Sequence, residues 1–278
     1  MAAALLSLPG FCRPLGRHHA CTPRLLMRTF IVAIDGPAAS GKSTTAKRVA
    51  RTLGYNYIDS GSIYRAITLK ALAQGLDLTR EADRQRLDGL AHTCQVDTQA
   101  QFDGDTLRVV TYLDGQDVTD AIRTLAVNRG VSEVAKAPEV RQAVLQIQRR
   151  MAGYKREGSE TTTDKLSTTD LVMDGRDIGT SVFPQAELKV YLEADATVRA
   201  QRRYEEMQRQ AMTKKENGST LPTYDEVLRD LQARDAADVN RTHSPLRRAP
   251  DAVVIDSTNL TIDQQVSKIV ELAQSRMA

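Results

Sequence analysis

Apolar positions along this chain follow two rhythms. Short unbroken runs, rich in β-branched and aromatic residues, occur at residues 30–34, 55–59, 171–173, 188–192 and 252–255. Runs of that length predict short strands, most of them buried on both faces. Between them, apolar residues recur three and four apart, the spacing of one helical face. This predicts helices at 43–53, 63–73, 81–91, 118–134, 138–151, 195–210, 224–239 and 261–277. Pro138 suits the first turn of its helix. Ser60-Gly61-Ser62 reads as the cap of the helix at 63–73. Strands alternating with helices predict an α/β fold, with a mostly parallel central sheet covered on both faces.

Four stretches break the rhythm. Residues 94–119 hold Asp103-Gly104, Asp114-Gly115 and the strand-like run 107–113, which together predict a small antiparallel sheet inserted between helical stretches. Residues 153–169 are polar and aperiodic, and residues 211–223 carry Lys214, Lys215, Gly218 and Pro222. Both read as mobile surface connections. Residues 1–26 hold Pro9, Pro14 and Pro23 and arginines without acids. They are expected outside the fold, as a disordered tail or an organelle transit segment. The other reading is an upstream start, with Met27 just before the first strand.

Charge narrows the function classes. The chain has 38 Lys and Arg against 35 Asp and Glu, and Arg13, Arg17, Arg24 and Arg28 lie in the first 28 residues. The remainder has 34 basic and 35 acidic residues, a net of −1, so no basic surface for nucleic acid is expected. Cys12, Cys21 and Cys94 are too few for a disulfide framework or a zinc site. No apolar run approaches the ~20 residues of a membrane span. The expectation is a monomer in the cytoplasm, or in a mitochondrial or plastid matrix if residues 1–26 are a transit peptide.

One motif carries chemistry outright. The first strand runs into Gly36-Pro37-Ala38-Ala39-Ser40-Gly41-Lys42-Ser43-Thr44, which fits the phosphate-loop pattern G-x-x-x-x-G-K-[ST], and a helical pattern follows. In that context the loop N–H groups and the helix N-terminus bind a phosphate. Lys42 is expected to reach the β- and γ-phosphates of ATP, and the Ser43 hydroxyl to hold Mg²⁺. Arginines gather at the predicted carboxyl ends of the strands, where ligands bind in open α/β sheets. Arg65 follows Asp59-Ser60-Gly61, and Arg176 sits inside Asp174-Gly175-Arg176-Asp177. Arg234, Asp238 and Arg241 share one helical face. Guanidinium groups clamp phosphates bidentately, which suits a second phosphate-bearing substrate. Taken singly, each arginine is better suited to a solvated ion pair, such as Arg234 with Asp238.

Several segments together are specific. The phosphate loop, Tyr57-Ile-Asp-Ser-Gly61 with Tyr64-Arg65, Asp174-Gly-Arg-Asp-Ile-Gly-Thr180 with Val182-Phe-Pro184, and Asp256-Ser-Thr258 resemble the bacterial-type cytidylate kinases from about Met27 to the C-terminus. The resemblance implies a three-layer P-loop kinase fold at 27–278, with an enlarged β-containing monophosphate-binding insert at about 92–152 and a short lid at about 203–223. It implies transfer of the γ-phosphoryl group of ATP, with Mg²⁺, to CMP or dCMP. On its pattern, Arg65, Arg176 and Arg241 hold the acceptor phosphate. Ser60, Arg234 and Asp238 surround the sugar, and Ser132, Arg141 and Asp177 read cytosine. Arg199, Arg202 and Arg203 match lid arginines that close over the phosphates, although a charged solvent face fits them as well. The loops at 153–169 and 211–223 are longer than that pattern. The rivals are another small P-loop kinase, acting on UMP, AMP or a non-nucleotide alcohol, and a nucleotide-binding switch. The N-K-x-D signature of switch GTPases is absent from the sequence.

Overall fold

A computed structural model describes residues 29–103, 106–153, 170–214 and 221–277. The expectations for residues 1–26, the Asp103-Gly104 turn, nearly all of 153–169 and the connection at 215–220 lie outside the described residues.

The centre is a sheet of five strands, β1 (Ile31–Asp35), β2 (Asn56–Asp59), β6 (Leu171–Gly175), β7 (Leu188–Glu193) and β8 (Val253–Asp256), in the order β2-β6-β1-β7-β8. Every pairing in it is parallel. Parallel neighbours need crossover connections, and the intervening helices supply them. Ile31 and Ala33 of β1 enter one apolar cluster, while Val32 and Ile34 enter another. Both faces of the strand are thus covered, which explains why its sequence is continuously apolar rather than alternating. On one face lie α1 (Lys42–Leu53) and α8 (Ile262–Met277). On the other lie α2 (Ser60–Ala73), α3 (Arg84–Thr93), α4 (Leu125–Val134) and α5 (Pro138–Met151).

The insert is a three-stranded antiparallel sheet of β3 (Val96–Asp103), β4 (Thr106–Leu113) and β5 (Gln116–Asp117). Asp114 and Gly115 join β4 to β5 with φ of 50° and 82°. Two positive φ values mark the primed turn that matches strand twist. The remaining helices, α6 (Ala196–Lys214) and α7 (Tyr224–Val239), pack on each other through Ala200, Val227 and Leu231.

Four expectations are corrected. The helix after β2 begins at Ser60, and its cap is Asp59, whose carboxylate accepts from the N–H groups of Gly61 and Ser62. An acceptor-only carboxylate one residue earlier outcompetes the serine hydroxyls for those donors. The expected helix 118–134 is a short 3₁₀ turn (Ala121–Arg123) followed by α4, because Thr124 is extended at ψ 158°. The helix expected at 81–91 likewise opens with a 3₁₀ turn before α3. Finally, α6 continues to Lys214, through residues 211–214 expected in a mobile connection.

Candidate active site

The phosphate loop hangs between β1 and α1. Gly36 lies against β7, where an added Cβ would fall 2.0 Å from the Leu192 carbonyl oxygen. Gly41 caps α1 at φ 91°, a conformation that side chains rarely adopt. The first N–H groups of a helix have no acceptor within it, so they point at whatever anion fills the loop. Lys42 is buried and folds back, its Nζ donating to the Pro37 carbonyl at 2.5 Å and the Ser40 hydroxyl at 3.3 Å. Burial and the nearby Arg176 guanidinium hold its pKa well below the ordinary lysine value.

Carboxylates stand at the ends of β1 and β6. Asp174 is buried; its Oδ2 accepts from the Ser43 hydroxyl at 2.8 Å and its Oδ1 from the Tyr57 hydroxyl at 2.6 Å. Burial and the charge of Asp59 push its pKa up, against those hydrogen bonds and Lys42. Asp35 accepts from the N–H groups of Ile178 and Gly179 at 2.9 and 2.7 Å, and burial pushes its pKa up to about 7. It pins the start of a single π-helical turn, Ile178–Val182. Such turns are uncommon and concentrate at functional sites.

Arginines form the opposite wall. Arg176 donates to Asp238 at 2.8 Å and to the Gly175 carbonyl at 3.2 Å. Burial works against its charge, but Asp238 outweighs it and raises the pKa. Arg65 donates to the Asn128 side chain at 2.5 Å and the Ile122 carbonyl at 3.3 Å. Arg241 lies 3.5 Å from Asp238. Arg234 has no hydrogen-bond or ion-pair partner among the described residues. Burial, then Arg176, Arg65 and Arg203, push its pKa down to about 10 against the opposing charge of Asp238. Burial also lowers Arg65, opposed by Asp59 and assisted by Arg123, Arg203 and Arg176. A set of guanidinium groups that depress one another is a field waiting for an anion.

Next to this wall, Arg141 and Asp177 form a buried ion pair at 2.5 Å. Arg141 also donates to the Ala135 carbonyl at the end of α4, the helix that carries the half-buried Ser132. Nε of Arg141 and Nη2 of Arg241 are buried without an acceptor among the described residues. Buried donors are normally satisfied, so these two mark places for ligand oxygens or ring nitrogens. Ser60, at the start of α2, accepts from Gln148 at 2.7 Å. That bond leaves its own proton to donate elsewhere.

The three arginines expected in a lid separate. Arg203 is a third exposed and pairs with Glu206 at 2.8 Å. Arg202 is bound by the turn after β8, donating to the Ser257 carbonyl at 2.7 Å. Arg199 is buried against Asp235 at 2.6 Å. Of the three, Arg203 is the one whose charge lowers the pKa of both Arg65 and Arg234.

Sequence reasoning passed over Asp174, Asp35, Gln148, Asn128 and Asp235 as site residues. Asp174 had a signal: an apolar run ending in Asp, the pattern that places a carboxylate beside a phosphate-loop serine. Among the described residues no group of three or more His, Cys, Asp or Glu side chains could hold a metal. Mg²⁺ does not need one, since it keeps several waters and takes one or two carboxylates plus substrate phosphates. The Ser43 and Asp174 oxygens fit that requirement.

Comparison with known proteins agrees with this geometry. The "Cytidylate kinase" family model matches residues 32–275. A protein named cytidylate kinase from Chlorobaculum tepidum is 44% identical over 88% of this chain and 93% of its own length. One of the same name from Pelodictyon phaeoclathratiforme is 42% identical over 90% and 96%. Another, from Geobacillus kaustophilus, is 41% identical over 91% and 100%. With the phosphate loop, the all-parallel sheet and the β-containing insert on one continuous stretch, the chain belongs to the cytidylate kinase family.

Proposed function

We propose that this protein transfers the γ-phosphoryl group of ATP to CMP or dCMP, giving ADP and the nucleoside diphosphate. The observation that carries the reading is the convergence, beside Lys42, of an arginine wall with too few acids and a buried Arg141–Asp177 pair. The wall suits the acceptor phosphate, and the pair suits a base that both donates and accepts. Cytosine offers its N4 amino group to a carboxylate, and its O2 and N3 accept from donors such as Arg141 or Ser132. Oδ1 of Asp177 has no partner among the described residues, so it is open to that amino group. Ser60, Arg234 and Asp238 are proposed to line the sugar, and Arg65, Arg176 and Arg241 to hold the phosphate.

No general base is required, because the acceptor phosphate is already an anion. The protein's task is alignment and neutralisation of the charge spread over the transferred group. Lys42 and Arg203 serve the donor side, and Arg65 and Arg176 the acceptor side. Ser43 and Asp174 would hold Mg²⁺, which when bound neutralises charge on the β- and γ-phosphate oxygens. Arg203, in the middle of α6, would help exclude water and limit ATP hydrolysis.

Turnover with ATP and Mg²⁺ against CMP, dCMP, UMP and AMP in turn tests the reading. Activity confined to UMP, AMP or a non-nucleotide acceptor would overturn it. Asp177→Asn probes base recognition directly. The amide keeps the shape but can turn a donor toward the O4 of uracil. A hydrogen bond to a charged group is worth about 1.5–3 kcal/mol, so kcat/KM on CMP is expected to fall about ten- to a hundredfold. The loss on UMP should be much smaller. Weakening the Arg141 pair would lower both substrates together, so the ratio of the two values is the informative quantity. An unchanged ratio assigns Asp177 to positioning alone.

A further inference from the structure

The residue before the strained part of the phosphate loop is gripped on every side. Ala38 donates its N–H to Asp235 Oδ1 at 3.2 Å. Its carbonyl accepts from Arg199 Nη1 at 3.0 Å. Arg199 Nη1 also bonds Asp235 Oδ2 at 2.6 Å, and its Nε donates to the Ala194 carbonyl at 2.9 Å. The Ala38 methyl packs in the apolar cluster that joins α6 to α7. Ala39 follows directly, at φ 57°. A non-glycine residue in that region is held there by its surroundings. With both peptide groups of Ala38 fixed, the directions of the next N–H groups in the loop are fixed as well.

We infer that Asp235 and Arg199 are positioning residues for the phosphate loop, acting through the two backbone groups of Ala38. Arg199 then works beneath the loop rather than on the phosphates. The clamp joins the loop to the α6–α7 hairpin, so the shape of the donor site depends on how that hairpin sits. Asp235 lies beside Arg234 and its charge also acts on Arg176, but its side-chain hydrogen bonds go to Ala38 and Arg199, on the donor half.

The inference rests on the phosphoryl-transfer reading for its kinetic arm only. The test compares Asp235→Asn, Asp235→Ala, Arg199→Ala and the double alanine variant. Affinity for a non-hydrolysable ATP analogue with Mg²⁺ and affinity for CMP are measured separately, by calorimetry, alongside kcat and melting temperature. Misplacing reacting groups by about 1 Å costs on the order of a hundredfold in rate, and a loss of that size in kcat is expected for Asp235→Ala. Affinity for the ATP analogue should fall at least tenfold, while CMP affinity stays within about twofold. The double variant should be no worse than the poorer single one, because both changes open one clamp. Asp235→Asn keeps an acceptor for Ala38 and should fall between wild type and alanine; it also serves if the alanine variant fails to fold. A large loss in Arg199→Ala with near-normal Asp235 variants would overturn the inference, since Arg199 would then act on the phosphates itself. Variants that melt lower yet bind the ATP analogue normally would overturn it too. A wild type that binds the analogue but does not phosphorylate CMP would refute the proposed acceptor and leave the binding arm intact.

Discussion

Lys42→Met is expected to give a folded protein whose kcat is lower by about a thousandfold, the cost of removing a preorganised group that meets developing charge. The ammonium is buried, and its neighbourhood already resists the charge, as its lowered pKa records. Methionine keeps an unbranched stem of similar length and places no charge in that space. The Pro37 carbonyl, which accepts from Lys42, also accepts from the Ser40 hydroxyl at 3.1 Å, so it is not orphaned by the change. The melting temperature should therefore hold or rise, while turnover collapses. Steady-state rates beside a thermal melt check both halves. Near-normal turnover would remove Lys42 from the reaction.

Gly36→Ala is expected to fail in the opposite way, through the fold. The added methyl would sit 2.0 Å from the Leu192 carbonyl oxygen, and that oxygen is backbone in a strand paired on both sides. It cannot swing aside as a side chain could. Either β1 and β7 part at their carboxyl ends, or the loop leaves its path. Overpacking combined with strain at a special backbone position puts the destabilisation at about 4 kcal/mol. For a chain of this size that is a fall of roughly 10 °C in melting temperature. A melt within a degree or two of wild type would mean that the loop leaves β7 at little cost.

Much of this architecture was legible because its signals are local. The phosphate loop is one contiguous motif, so its position and chemistry follow from reading along the chain. The boundaries of α5 and α7 coincide with expectation, since Pro138 marks one start and Thr223 with Glu226 forms a capping box at the other. The region 118–134 misled because Ile122 is buried within the 3₁₀ turn and continues the apolar spacing across the break at Thr124. What stayed hidden depends on pairing at a distance. Ser43 and Asp174 meet because β1 and β6 are neighbours, a register that neither local sequence encodes. Arg199 and Asp235 meet because two helices cross, and spacing alone made Arg199 look like one member of a charged stripe. The arginine wall was anticipated as a set of types; its shortage of acids appears only when Arg65, Arg176, Arg203 and Arg234 are brought to one place.

The two-faced burial of β1 has a kinetic meaning. A strand flanked by β6 and β7, with side chains locked into separate clusters above and below, offers no partial opening that frees its backbone. Its amides belong to the class that exchanges with solvent hydrogen only when the whole molecule unfolds. The α6–α7 hairpin carries half-exposed side chains such as Tyr204, Met207 and Leu228, and it joins the slow core through a small apolar cluster. Its amides are expected to exchange by local opening, sooner than those of β1. The phosphate loop thus joins a strand expected to exchange only on global unfolding to helices expected to open sooner.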